Sequence, residues 1–248
     1  MYQIEKLNQI KGFKHFISTI ADGNMSIIYD DEETVYKNRK NFLDKCNIKE
    51  QEIAYMYSKE VHNNSIKVDK NSEKLGIIEP YGFEADSIII NDPNIAIMLI
   101  VADCVPMFLY DPTNHVTGLA HCGIKWTDNG TAKKTIQKMK QLYNTDPQTL
   151  IIGLGPSIQA KSVRYEFWNP INSHYWKDCV STDKNGKYMV DNVKATINQL
   201  IGEGVNKKNI FKSDIDTYTD KRFYSHTRSR DTGEKEGRFT VVIKLSEK

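Results

Sequence analysis

The sequence has no cysteine pair at CxxC spacing, no long hydrophobic run, almost no net charge and no internal repeat, and each absence removes a class of protein. Cys46, Cys104, Cys122 and Cys179 stand far apart, which excludes a local zinc finger and a thioredoxin-like redox centre. The longest apolar stretch, Ile95 to Leu109, is broken by Asp103 and Pro106, so no membrane span is expected. Lys and Arg number 34 against 32 Asp and Glu; the formal charge of +2 offers a polyanion little attraction, and nucleic acid is not an expected partner. The opening residues, Met1-Tyr2-Gln3-Ile4-Glu5-Lys6, lack the basic-then-apolar order of a secretion signal. A reducing, cytoplasmic setting is therefore expected, with the cysteines as free thiols or ligands rather than disulfides. No low-complexity tract or linker interrupts the chain, so residues 1–248 read as one continuous domain.

What is present is an ordinary globular composition, 39% hydrophobic and 27% charged, in a chain long enough to bury a substantial core. Apolar spacing predicts helices over 32–46, over 127–144 with Asp128 as N-cap, and over 191–203, ended by Gly204. Strands are expected at 53–57, 65–68, 88–90, 95–101, 107–110, 116–120, 150–154, 210–213 and 239–245, the last alternating as if half-buried. The stretch from Lys161 to Asn192 shows no clear element. The run at 95–101 is apolar at nearly every position and stops at Ala102-Asp103-Cys104, and the run at 116–120 stops at His121. Two strand regions thus finish on potential ligands, and strand ends are rigid places from which side chains converge.

Cys and His are preferred zinc ligands, and three of them leave one coordination position for water or substrate. A thiolate at Cys104 with neutral imidazoles at His62 and His121 would leave residual positive charge, enough to lower the pKa of a coordinated water. The wide spacing of these residues matches no local zinc motif. From spacing alone, Cys104 reads as a buried small hydrophobe and the histidines as ordinary polar residues.

Val61-His62, Ala102-Asp103-Cys104-Val105-Pro106, Asp111-Pro112, Ala120-His121-Cys122-Gly123, Gly155-Pro156-Ser157-Ile158, Tyr165-Glu166 and Gly237-Arg238 are the motifs that narrow the reading. Their order resembles that of the YfiH, or laccase-domain, family, also called the polyphenol oxidoreductase or purine nucleoside phosphorylase family. The resemblance runs from about residue 16 to about residue 245. It implies an α+β fold of mixed sheets flanked by helices in α/β/β/α layers, and a zinc on His62, Cys104 and His121. It also implies action on purine nucleosides: phosphorolysis of adenosine, inosine, guanosine or methylthioadenosine, or hydrolytic deamination of adenosine. A purine nucleoside and phosphate are the partners expected, on a monomer or small homo-oligomer.

For deamination, Asp103 beside the cysteine is a candidate proton carrier; its other reading is a structural cap at the strand end. For phosphorolysis, Lys125, Arg228 and Arg230 are candidates to hold phosphate, against the commoner fate of Lys and Arg as solvated charges. The chain departs from the family pattern on the substrate side. Lys125 stands where the family has Arg, in Ile124-Lys125-Trp126-Thr127 against Trp-Arg-Gly-Thr; Ile20 replaces the Arg of Thr-Arg-x-Gly-Gly; Thr227 replaces one Arg of Ser-Tyr-Arg-Arg. A Lys cannot reproduce a bidentate Arg contact.

Three alternatives remain open at this point. A copper-dependent phenol oxidase would need several coppers and more than the six scattered histidines present, and ranks below zinc. Cys104 could be the nucleophile of a hydrolase with His121 as its base. The chain could also bind zinc without catalysing anything. Of the remaining conspicuous residues, Cys122 reads as a packed thiol, His226 as a surface histidine near the site, and Trp168 and Trp176 as packing residues able to stack a purine.

Overall fold

Alternation along β6 (Ala96–Val101) sets the layering, because its odd and even residues enter two different cores. Ile97, Leu99 and Val101 face a core shared with Phe108, Tyr110 and Leu119, whereas Ala96 and Met98 face one shared with Phe42 and Leu43. The computed structural model describes residues 1–58, 60–78 and 82–247. Within it β6 belongs to a five-stranded sheet in the order β1 (Phe13–Ile17), β13 (Phe239–Leu245), β6, β2 (Ile53–Tyr57), β4 (Phe83–Glu84). A six-stranded sheet runs β12 (Ile210–Lys212), β9 (Ile151–Leu154), β7 (Val105–Asp111), β8 (Val116–Cys122), β5 (Ser87–Ile90), β3 (Ser65–Lys67).

Both sheets mix parallel and antiparallel pairs: β2 lies parallel to β6, while β7 and β8 form an antiparallel hairpin with Pro106 opposite His121. The largest apolar cluster lies between the sheets. The outer face of the six-stranded sheet packs on α4 (Thr131–Tyr143) and α5 (Asn192–Gly202), and that of the other sheet on α2 (Glu32–Lys45). The result is the four-layer α/β/β/α arrangement of an α+β fold. Among the described residues no helix is long and apolar enough to cross a membrane.

Five differences separate the structure from the sequence expectation. The helix expected over 127–144 is two helices, α3 (Ile124–Asp128) and α4, because Gly130 takes a left-handed φ of 78° between them. Asp128 is not an N-cap: its carboxylate accepts from Ile171 N, Asn172 N and Trp176 Nε1, anchoring the segment that follows β9. β13 is buried rather than half-buried, since it lies between β1 and β6 with an apolar core on each side. The unassigned stretch holds a hairpin, β10 (Val180–Thr182) with β11 (Tyr188–Val190). Two short helices, α1 (Glu5–Asn8) and α6 (His226–Thr232), have no apolar periodicity and escape pattern reading.

Candidate functional site

The chain leaves β6 at Val101 and re-enters the other sheet at Val105, and the bend between them presents Cys104. Asp103 makes the bend with a left-handed φ of 71°, a conformation that costs a non-glycine residue roughly 1–3 kcal/mol unless its surroundings hold it. They do hold it. Its carbonyl accepts from Ile158 N at 3.0 Å, its Oδ1 from Thr217 Oγ1 at 2.7 Å and its Oδ2 from Thr227 N at 2.7 Å. Both carboxylate oxygens of Asp103 are thus occupied, and the arrangement is that of a brace presenting Cys104.

His121 lies in β8 on the same face as Leu119, turned toward the space between the sheets, while Cys122 faces the helices as a packed thiol. The His121 ring lies against Trp126, with centroids 4.2 Å apart and planes 31° apart. Burial pulls the His121 imidazole down to about 4, against an opposing effect of the Ser58 backbone, so the ring is neutral near pH 7. Burial pushes the Cys104 thiol up to about 12, with the Asp103 charge adding to it. Gly123 makes this proximity possible: a Cβ there would lie 2.6 Å from Trp126 Cε3 and 2.8 Å from Cys104 Sγ. Gly123→Ala should therefore push Cys104 and Trp126 apart and, if Cys104 is a metal ligand, weaken metal retention about tenfold or more, read by competition with a chromogenic chelator. Unchanged affinity would show that the thiol tolerates the shift.

His62 reaches the same neighbourhood through Asp86, a buried carboxylate just before β5. Asp86 Oδ1 accepts from His62 N at 3.0 Å, Trp126 Nε1 at 3.0 Å and Ser58 Oγ at 3.3 Å, and the Asp86 carbonyl accepts from His121 N at 2.9 Å. One side chain so ties the loop carrying His62 to the strand carrying His121. Two imidazole nitrogens in this region, His62 Nε2 and His121 Nδ1, are buried without a hydrogen-bond partner among the described residues. A buried polar atom left unpaired is costly, and imidazole nitrogens together with a thiol are a donor set that zinc favours. Among the described residues, no three His, Cys, Asp or Glu side chains are already gathered at metal-holding separations. The donors fit an ion in type and in their unused nitrogens; gathering them requires side-chain adjustment.

Cys104 and Trp126 line two adjoining cavities, of about 650 and 300 Å³. The larger is within the usual size of small-molecule pockets, roughly 300–1,000 Å³. Of the residues singled out for phosphate, Lys125 lines it and is exposed. Arg228 does not reach it. That guanidinium is buried, donates to the carbonyls of Thr217, Tyr218 and Phe223, and pairs with Glu234, so it clamps the loop before α6. Arg230 is exposed and paired with Asp231 at 3.1 Å; its charge counters part of the upward shift that burial and then Cys104 impose on Tyr165 at the cavity wall. Of the family departures, Thr227 lines the large cavity, whereas Ile20 lines neither. Trp176 is buried, edge-on to Trp168, and neither indole lines either of these two cavities; Trp126 lines both.

Sequence reasoning assigned no role to Asp86, Trp126, Asn192 or Arg238. Arg238 lines the smaller cavity, pairs with Glu236 at 2.9 Å and lies over the Tyr29 ring. His226 lines both cavities and has its Nδ1 2.6 Å from Glu236 Oε1. The only available signals were the Gly237-Arg238 motif and a lone Asp opening an apolar strand at 86, and neither states which distant residues it meets.

With this geometry in view, comparison with known proteins is informative. A family model described as multi-copper polyphenol oxidoreductase laccase matches residues 17–246. A purine nucleoside phosphorylase of Clostridium acetobutylicum is 31% identical over 239 residues, covering 94% of this chain and 92% of that protein. Two solved structures are similar in fold: the hypothetical protein YfiH of Bacillus licheniformis and YlmD of Geobacillus stearothermophilus. The first has a TM-score of 0.82 at 23% identity, over 98% of this chain and 95% of that one. The second has a TM-score of 0.84 at 21% identity, over 95% and 93%.

Proposed function

We propose that this chain, which belongs to the family described as multi-copper polyphenol oxidoreductase laccase, cleaves purine nucleosides by phosphorolysis and holds one zinc on His62, Cys104 and His121. The observation that carries the reading is the pair of partnerless imidazole nitrogens near Cys104, a residue in the wall of a cavity of nucleoside size. The relative in Clostridium acetobutylicum, named a purine nucleoside phosphorylase, supports phosphorolysis as the reaction.

In phosphorolysis a phosphate oxygen bonds to the ribose C1′ while the C1′–N9 bond breaks and the base leaves with a proton. The chain's own residues supply the setting. Lys125 stands exposed at the large cavity and Arg238 at the smaller one, where a cation holds phosphate against the sugar. Apolar residues such as Ile158 and Val163 exclude water from the base. Asp103 and Asp86 keep Cys104, His62 and His121 in register. A bound zinc would supply Lewis-acid charge at this wall.

Deamination is less well supported, since Asp103, its candidate proton carrier, has both oxygens committed to Thr217 and Thr227. A cysteine nucleophile is disfavoured by the thiol at about 12 beside an imidazole at about 4, a poor match for proton transfer. A multi-copper centre lacks ligands: His15 accepts from Ile4 N, His115 bonds Ser246 O, His174 is exposed against the Tyr175 ring and His226 pairs with Glu236, leaving His62 and His121 as the available pair. Incubation of purified protein with adenosine should yield adenine and ribose 1-phosphate only when inorganic phosphate is present. Release of inosine instead, or product independent of phosphate, would overturn the reading.

A further inference from the structure

Asn192 opens α5 behind the hairpin that carries His121, lines the large cavity and is only 6% exposed. Its Nδ2 donates to the Cys122 carbonyl at 2.7 Å. Flipping the amide would set oxygen against oxygen, so its orientation is fixed. Its Oδ1 is then a buried acceptor, and it is the only partnerless buried side-chain atom on a lining residue of that cavity among the described residues. An acceptor held this way selects a ligand that brings an N–H or O–H.

The cavity is polarised. Asn192 is buried, with apolar Ile158, Val163 and Ile124 also on the lining, whereas Glu60, Lys125 and His226 are exposed. A purine base suits the buried apolar part, and a ribose with its phosphate suits the charged, exposed one. Resting on the nucleoside reading above, we propose that Asn192 Oδ1 accepts a hydrogen bond from the exocyclic amine of a 6-aminopurine nucleoside and so sets the preference for adenosine. A purine with no substituent at C6 leaves that oxygen buried and unpaired.

The test compares adenosine with purine riboside, which has the same sugar and no group at C6, by calorimetric titration of the wild type and Asn192→Leu. The wild type should bind adenosine about tenfold or more tightly than purine riboside, and the variant should bind the two alike. Equal affinities in the wild type, or a loss in Asn192→Leu that falls equally on both ligands, would overturn the inference. Should the variant fail to fold, the wild-type comparison decides alone. Parallel assay of ribose 1-phosphate separates the two claims: an Asn192-dependent preference without phosphorolysis removes the reaction and keeps the specificity. Phosphorolysis without that preference does the reverse, and binding of neither nucleoside removes both.

Discussion

Replacement of His121 by alanine should abolish zinc retention and slow nucleoside phosphorolysis more than about 100-fold, a larger effect than loss of a group that merely orients a ligand. The reason lies in how the ring is placed. It is buried, neutral near pH 7, and has an Nδ1 that no described residue satisfies. His62→Ala should act the same way, since its Nε2 is equally without a partner. Cys104→Ser should retain the fold and lose the metal, because a hydroxyl is a far weaker zinc ligand than a thiolate. Zinc content by atomic emission and unfolding temperature with and without chelator separate a lost ligand from a lost fold. A chelator should lower the unfolding temperature of the wild type and leave the three variants unmoved, because only a chain that binds the ion gains stability from it. Full zinc occupancy in His121→Ala would remove the proposed centre.

Metal-free protein should lose several kcal/mol of stability between about pH 6.5 and pH 4, and two histidines account for it. Burial pulls both His15 and His121 down to about 4 from the ordinary 6.5. Above pH 6.5 both rings are neutral whether the chain is folded or not, so stability there does not depend on them. Below it the unfolded chain takes up protons that the folded chain refuses, and the equilibrium moves toward unfolding until the folded rings titrate near pH 4. Each ring contributes about 3 kcal/mol to that loss. Asp22 acts in a different window: Lys45, the Thr19 backbone and the N-terminus hold its carboxyl at about 2 against the upward pull of burial, so its contribution is lost only below its usual 3.8. His15 can be separated from His121, because its Nε2 accepts from Ile4 N at 2.8 Å and takes no part in the cavities. His15→Gln should remove about half of the slope in urea unfolding measured in chelator at pH 7, 5.5 and 4.5. A flat profile for the wild type would show that the rings are not held neutral.

Local chemistry made much of the fold readable. The helix over 32–46 is α2, with Asp31 accepting from Thr34 N at its start. The run at 95–101 is a strand buried on both faces, and the helix over 191–203 is α5 with Asp191 as its N-cap. What failed was information that is not local. The run at 88–90 and the run at 95–101 look like neighbours across a turn, yet β5 and β6 lie in different sheets. Nothing in the stretch Asp92-Pro93-Asn94 states which sheet receives the next strand. Arg228 reads as a phosphate ligand from its chemistry alone, and becomes a loop clamp only because three carbonyls and Glu234 converge on it.

By itself, the sequence determined the family, the layered α+β architecture and the identity of the candidate donors, His62, Cys104 and His121. These come from short motifs and the family resemblance they carry, while apolar periodicity, which acts over a few residues, supplies the individual helices and strands. Only the tertiary structure decided that Asp103 is a brace, that Asp86 and Trp126 join His62 to His121, and that Asn192, a residue of the cavity wall, keeps an unused oxygen. A carboxylate or an amide has the same chemistry wherever it stands, and whether it catalyses, supports or selects depends on which donors the rest of the chain brings within about 3 Å of it.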